Sequence, residues 1–254
     1  MIGMENASRA VAPARYAELP KAEIAALAKR WRRANGPVIS ALNLFTGKIE
    51  DKLSLVPEAI RARIEAVTAA ALESAYGLAG KADGIERGSY LAAMASGAAG
   101  GFGGMATSLA ELPVSITVLM HAIRLEAKKA GFDPDEPLIQ AECLRCFAAG
   151  APGGEDDGID TAFLSARMAL NGPALQKIIS TVAPKFAMAF SQKLAAQAVP
   201  VLGALTGAAL NAAFLRYYTQ AAAVRFELLR LGQLYGHSPV RAAFAKATGQ
   251  KYIQ

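Results

Sequence analysis

The chain contains two long uncharged runs, at positions 88–110 and 194–215, that are rich in alanine, glycine and other small residues. Each run is long enough to cross a bilayer, because a spanning helix needs about 20 apolar residues. Few side chains in either run are large and apolar, however, and small side chains let helix backbones approach each other closely. The runs therefore predict two helices that pack on each other within a bundle. A membrane-embedded pair and a lipid or ligand groove remain alternatives.

Small residues recur at every fourth position in both runs. Residues at this spacing lie on one face of a helix, so each run carries a narrow stripe that favours close packing. The stripes are Ser96, Gly100, Gly104 and Ser108 in the first run, and Gly203, Gly207 and Asn211 in the second. Four of these glycines, at positions 100, 104, 203 and 207, are the predicted helix-packing residues.

The composition predicts an all-α fold. Hydrophobic residues make up 53% of the 254 residues, many of them alanine, the best helix former. No segment alternates cleanly between apolar and polar residues, as a half-buried strand would. We expect residues 1–16 to be flexible and residues 17–254 to form a single bundle of about seven to nine helices, with the two glycine/alanine-rich helices at its centre.

Proline and glycine residues predict where helices begin and end. The apolar side of the first helix, over residues 19–33, carries Leu19, Ile24, Leu27 and Trp31. A long helix is expected from Met105 to Ala130, where Gly131 ends it. Further helix starts are predicted at Pro57, Asp133-Pro134, Asp160, Pro173, Pro184, Pro200 and Pro239.

The net charge of +6 favours anionic partners, such as lipid headgroups or a membrane protein. No lysine and arginine tract is long enough to predict nucleic-acid binding. The first 20 residues lack an apolar signal core, which predicts a cytoplasmic protein, peripheral to the inner membrane if it binds there. The best candidate for a membrane surface is the segment Arg30, Trp31, Arg32 and Arg33. Alternatively, Trp31 anchors the helix in the core and the arginines form a solvated face.

Three motifs follow one another in a distinctive order. The glycine cluster precedes Glu111-Leu112-Pro113, then Gly131-Phe132-Asp133, then Pro200-Val201-Leu202-Gly203-Ala204, which continues to Gly207 and Asn211. Over roughly residues 60–235 this order resembles the EcsC family of bacterial proteins, which commonly has aspartate at the position of Glu111. The resemblance implies an all-α domain. It implies no particular chemistry, because the family has no agreed biochemical activity.

Glu111 and Asn211 interrupt otherwise apolar surroundings. A carboxylate in such a place has to be paired, protonated or solvated, because an isolated buried charge is too costly. Its candidate partners are Asn211, Arg124 and Arg216. Together these four residues predict a structural polar clamp between the two glycine-rich helices, or alternatively a functional site with Glu111 as its acid or base.

The sequence offers little support for other chemistry. Cys143 and Cys146 form a CxxC motif, but neither their spacing to the two histidines nor their place within a helix matches a zinc or redox site. Neither HExxH nor GxSxG occurs, and no cofactor or metal is expected. We therefore predict a non-enzymatic protein that acts near the inner membrane through lipid or protein contacts. The alternative is an enzyme of unknown class that uses Glu111 beside Asn211.

Overall fold

The computed structural model describes residues 18–34, 56–78, 104–149, 172–197 and 203–249, with the backbone alone at 76–78, 104–108, 110, 195–197 and 203–210. Over these ranges the chain forms seven α-helices, one short 3-10 helix and no strand, which confirms the predicted all-α class. The helices are α1 (Lys21–Ala34), α2 (Glu58–Leu78), α3 (Gly104–Lys129), α4 (Pro137–Arg145), the 3-10 helix (Cys146–Ala149), α5 (Gly172–Gln197), α6 (Gly203–Tyr235) and α7 (His237–Thr248).

The first helix shows how the sequence pattern produces the packing. Ile24, Leu27 and Trp31 are buried, and their spacing places them on one face of α1. Only 3% of Trp31 is exposed, and its ring centroid lies 5.8 Å from that of Tyr217 on α6. The predicted apolar face of this helix therefore faces the core.

The helices pack around α6, which is 33 residues long. On one side α1 and α7 pack against each other and against α6. On the other side α2 packs against α3 and α5, and α3 contacts α6. The 3-10 helix packs against both α5 and α6, so it connects the two groups.

Aromatic rings fill the interior where α5, α6 and the 3-10 helix meet. The centroid of Phe186 lies 5.2 Å from that of Phe147 and 5.5 Å from that of Tyr218. The neighbouring Tyr217 hydroxyl donates a hydrogen bond of 2.6 Å to the carbonyl of Ala149. The C-terminal end of the 3-10 helix is therefore held against α6 both by contacts between aromatic rings and by a hydrogen bond.

The predicted helix start at Asp133-Pro134 is wrong, because α4 begins at Pro137. The Asp133 carboxylate accepts a 2.9 Å hydrogen bond from the backbone N–H of Asp135, which closes a turn around Pro134. Arg124 on α3 stabilises that turn by donating to the Pro134 carbonyl at 3.0 Å and to the Asp135 carboxylate at 2.7 Å. Side-chain bonds to the turn thus outcompete helix initiation at this point.

The predicted helix start at Pro184 is also wrong, because α5 runs through this proline without a break. A proline inside a helix removes one backbone hydrogen bond and costs about 3 kcal/mol. Pro184 itself is exposed, while Val182 and Ala183 before it and Phe186 and Ala187 after it are buried. Burial of this continuous face outweighs the local cost, since each large apolar side chain contributes about 1.5–3 kcal/mol.

A buried ionic clamp joins α4 to α6. One carboxylate oxygen of Glu142 accepts hydrogen bonds from Nε and Nη2 of Arg225 at 2.8 and 2.6 Å. The other accepts from Arg145, one turn along α4. All three residues are at most 9% exposed. We call this set, Glu142, Arg145 and Arg225, the ionic clamp.

Much of the two small-residue runs lies outside the described residues. Gly100 and the segments 88–103 and 198–202 belong to that part, as does the predicted flexible terminus 1–16. Gly104 and Gly203 are the first residues of α3 and α6, and Gly207 lies within α6, but their surroundings are likewise outside the described part. Close packing between the stripes stays a prediction. Among the helices that the structure describes, none is both long and apolar enough to span a membrane.

Candidate functional site

A small cavity lies where α3, α5 and α6 meet. Its volume is about 60 Å³, and most of its walls are apolar. Lining residues come from α3 (Val114, Ser115, Val118, Leu119), α5 (Phe186, Phe190, Lys193) and α6 (Asn211, Phe214, Leu215). We call this the Lys193 cavity, because Lys193 is the residue that gives it a chemical character.

Lys193 is a buried amine that faces this cavity. Only 7% of the residue is exposed. Its Nζ lies 4.9 Å from the ring centroid of Phe190 and 5.6 Å from that of Phe214. Within the described ranges it has no hydrogen-bond acceptor and no directly paired carboxylate. Burial lowers the pKa of Lys193 from 10.5 to about 8, and the charge of Glu111 opposes this shift.

Glu111 lies on α3 one turn before Val114 and Ser115 of the cavity wall. It is half-buried, and burial raises the pKa of its carboxyl group, against the opposing effect of the Lys193 ammonium. Burial favours the neutral form of both groups, because each loses the hydration of its charge. Burial therefore shifts the pKa of each group toward neutral pH, which suits both to proton transfer.

The structure brings only part of the predicted polar cluster to this place. Asn211 is half-buried and lines the cavity together with Lys193. Arg124 lies 13 residues beyond Glu111 on the same helix, about 20 Å away at the rise of an α-helix, and bonds to the turn before α4. Arg216 is exposed and lies in a different groove. The cation that acts on Glu111 is Lys193, which the sequence analysis missed.

A signal for Lys193 was present in the sequence. Phe186, Phe190 and Lys193 occupy positions i, i+4 and i+7, so they lie on one face of a helix. A lysine on an apolar face has to be buried or extend its amine to the surface. Periodicity cannot distinguish these outcomes, because the outcome depends on how closely α3 and α6 approach.

A second, larger groove lies between α1 and α6, with a volume of about 510 Å³. It is lined by Ala26, Lys29, Arg30, Arg33 and Ala34 of α1 and by Arg216 and Gln220 of α6. Four of these seven residues are cations, so positive charge predominates in the lining of the groove. We call it the basic groove.

The arginines of the predicted membrane-surface segment have different environments. Arg30 donates a 2.6 Å hydrogen bond to Gln220 and lies 3.8 Å from the carboxylate of Glu126. Arg32 points away from the groove lining and donates to the carbonyl of Ala247 at 2.7 Å. Arg33 is exposed and lines the groove.

Trp31 is the core anchor of α1 and does not lie on the surface, so of its two interpretations the structure supports the packing role. A buried indole cannot insert among lipid headgroups. The membrane-surface prediction for Trp31 is therefore withdrawn, and the basic residues around it are the part of the segment that still offers an interaction surface.

The CxxC motif is buried at the junction of α4 and the 3-10 helix. Burial raises the pKa of Cys146 to about 12 and that of Cys143 well above its ordinary value. The thiolate is the reactive form of cysteine, so neither residue is poised as a nucleophile or metal ligand. Within the described part of the chain, no group of three or more metal-ligating side chains occurs.

The described residues form an all-α helical bundle with a buried lysine where three helices meet. A fold of this class does not by itself specify an activity. The model of the EcsC protein family matches residues 52–231, and the chain belongs to this family. The predicted resemblance to this family is thereby confirmed. No curated protein and no solved structure matches the chain.

Proposed function

We propose that the protein acts without catalysis at an anionic membrane surface, where the basic groove binds lipid headgroups. The observation that carries this proposal is the placement of Lys29, Arg30, Arg33 and Arg216 around one open groove. Two of its walls come from helices far apart in sequence, so the cluster is a product of the fold. A basic residue near an anionic surface contributes about 1 kcal/mol to binding.

Three of the four cations are expected to contribute most of the binding to lipid headgroups. Within the described part of the chain, Lys29, Arg33 and Arg216 form no ion pair, whereas Arg30 is already bonded to Gln220. The buried Trp31 supports the proposal indirectly, since it fixes the rotation of α1 and so holds Lys29 and Arg33 toward α6.

Vesicle sedimentation tests the proposal. Vesicles of phosphatidylcholine with about one third phosphatidylglycerol are the probe, and the variant is Lys29→Gln/Arg33→Gln/Arg216→Gln. We expect this triple variant to bind about 100-fold more weakly, corresponding to about 1 kcal/mol for each charge. The matched control, Arg63→Gln/Lys177→Gln/Lys246→Gln, removes the same charge from exposed positions on α2, α5 and α7. It should weaken binding much less.

Two results would overturn the lipid proposal. One is a parent protein that does not sediment with these vesicles at low salt. The other is equal weakening by both triple variants, which would mean that overall charge and not the groove is responsible.

A second candidate function is an enzyme in which Glu111 transfers a proton beside Asn211. The specific observation in its favour is the Lys193 cavity, which is lined by Asn211 and by Lys193, the residue whose charge acts on Glu111. Its volume is well below the roughly 300–1,000 Å³ of pockets that enclose a whole ligand, so only one end of a substrate would enter. Glu111→Gln tests it: turnover of a component of a cell metabolite extract by the parent protein should be lost in the variant.

A further inference from the structure

We propose that Lys193 forms an imine with a small or linear aldehyde or ketone, whose carbonyl end enters the cavity between α3, α5 and α6. The proposal rests on the second candidate function and names its substrate class. Three observations carry it: a partly open cavity, a lysine in its lining that is only 7% exposed, and a carboxyl group whose charge acts on that lysine.

The size and lining of the cavity fit the end of a carbonyl compound. A volume of about 60 Å³ corresponds to about two water molecules, or to a carbonyl group with one or two carbons. Val118, Leu119 and Phe186 supply apolar walls, while Ser115 and Asn211 supply polar groups. A neutral carbonyl end loses little hydration on entering such a site, whereas a charged carboxylate would lose far more.

The amine is available as a nucleophile because the site favours its neutral form. With a pKa of about 8, about one tenth of Lys193 is neutral at pH 7. An ordinary lysine is neutral in only about 0.03% of molecules at this pH. Desolvation in an apolar pocket is one of the general ways in which a lysine is activated.

The reaction balances with the groups present. The nitrogen lone pair attacks the carbonyl carbon, the π electrons move to oxygen, and proton transfer gives a neutral carbinolamine. Protonation of its hydroxyl group by Glu111 then lets water leave, and the product is a protonated imine on Lys193. The sum is one carbonyl compound plus one amine giving one imine plus one water, and Glu111 regains its proton when the imine hydrolyses.

The surroundings also favour the positive charge of the protonated imine. The rings of Phe190 and Phe214 lie against the nitrogen, and the negative face of an aromatic ring attracts a cation. Once it has given up its proton, Glu111 is a carboxylate that stabilises the same charge. The protonated imine therefore has a carboxylate counter-ion and two aromatic rings near its charge. The neutral reactants carry no charge for these groups to stabilise.

Reductive trapping of the full-length protein tests the proposal. The protein is incubated at pH 7 with butanal and sodium cyanoborohydride, which reduces an imine to a stable secondary amine. Intact mass gives the rate of labelling, and peptide mapping gives the site. We expect Lys193 to be labelled at least about tenfold faster than the exposed Lys177 on the same helix, since the larger neutral fraction is offset in part by slower entry.

Variants separate the specific reaction from general amine labelling. Lys193→Met should abolish the fast phase, and the control Lys177→Met should leave it unchanged. Glu111→Gln should slow trapping at Lys193 by about 100-fold while leaving Lys177 labelling as it was, because glutamine cannot supply the proton. Thermal melts of each variant establish that a loss of labelling is not a loss of folding.

The outcomes distinguish the imine proposal from the candidate enzyme function on which it rests. Labelling of Lys193 no faster than Lys177, or protection of Lys193 by butyrate with no imine formed, would overturn the imine and assign the cavity to an anion. If Glu111-dependent turnover of an extract component is found while trapping fails, the protein is an enzyme but its substrate is not an aldehyde or ketone that forms an imine. If neither turnover nor trapping is found, the enzyme proposal and the imine proposal are both wrong.

Discussion

The ionic clamp and the Lys193 cavity both place charge in the interior, and they satisfy it in opposite ways. In the clamp, each oxygen of Glu142 accepts from a guanidinium group, and both arginines are buried beside it. In the cavity, the Lys193 amine faces two aromatic rings, and Glu111 acts on it only through space. The clamp pairs its charges directly, while no described residue forms a hydrogen bond or ion pair with the cation of the cavity.

This difference indicates two kinds of role. A buried ion pair with good geometry holds two elements in one arrangement, and removing one partner leaves an uncompensated charge. A buried amine with no bonded partner works against stability, and such groups are concentrated at functional sites. The ionic clamp therefore has a structural role, which positions α4 against α6, and the cavity is the better place to look for chemistry.

The largest effect is expected from breaking the clamp. Glu142→Gln should destabilise the protein by about 3–5 kcal/mol, because Arg145 and Arg225 would keep their charges in the interior without the carboxylate. The control is Glu136→Gln, an exposed residue at the start of α4 whose side chain makes no capping bond; it should change stability by less than about 1 kcal/mol. Chemical denaturation measures both, and similar values for the two variants would show that the ionic clamp does not stabilise the fold.

The pH dependence of stability should reveal the burial of the Lys193 amine. The folded pKa of Lys193 is about 8 and the ordinary value is 10.5, so between these values the unfolded state binds the extra proton. The free energy of unfolding should therefore rise with pH across this interval, by about 3 kcal/mol at most, relative to Lys193→Met. Other groups titrate alike in both proteins and cancel in the difference. Parallel stability curves from pH 8 to 10.5 would show that Lys193 is not desolvated.

The smallest effect is the coupling within the cavity. Double-mutant cycles that combine Glu111→Gln with Lys193→Met or with Asn211→Leu should deviate from additivity by about 0.5–3 kcal/mol. Combination with Arg216→Gln should be additive, because Arg216 lines the basic groove. The cycles thus decide which of the candidate partners interacts with Glu111. Additivity with Lys193 and coupling to Arg216 would show that Arg216, and not Lys193, is the partner of Glu111.

Local patterns predicted the helices well where one face of a helix is apolar. The spacing of Ile24, Leu27 and Trp31 predicted α1 and its buried face, and Pro57 predicted the start of α2. The family motifs predicted an all-α domain. These predictions succeed because helix periodicity and capping depend on residues within a few positions of each other.

The same local rules failed where distant residues decide the outcome. Arg124 stabilises a turn at Asp133-Pro134 that the capping pattern assigned to a helix. The buried face of α5 carries the helix through Pro184. In both cases contacts formed by the rest of the molecule outweigh a preference of one or two residues.

The sequence by itself determined the helical class, the family and the apolar face of α1. Only the tertiary structure decided that Trp31 is a core residue, that Lys193 acts on Glu111, and that Arg216 joins Lys29 and Arg33 in one groove. The physical reason is that burial and electrostatic interaction depend on distance in space. Glu111 and Lys193 are 82 positions apart in the sequence, and only the packing of α3 against α5 and α6 brings their charges within reach of each other.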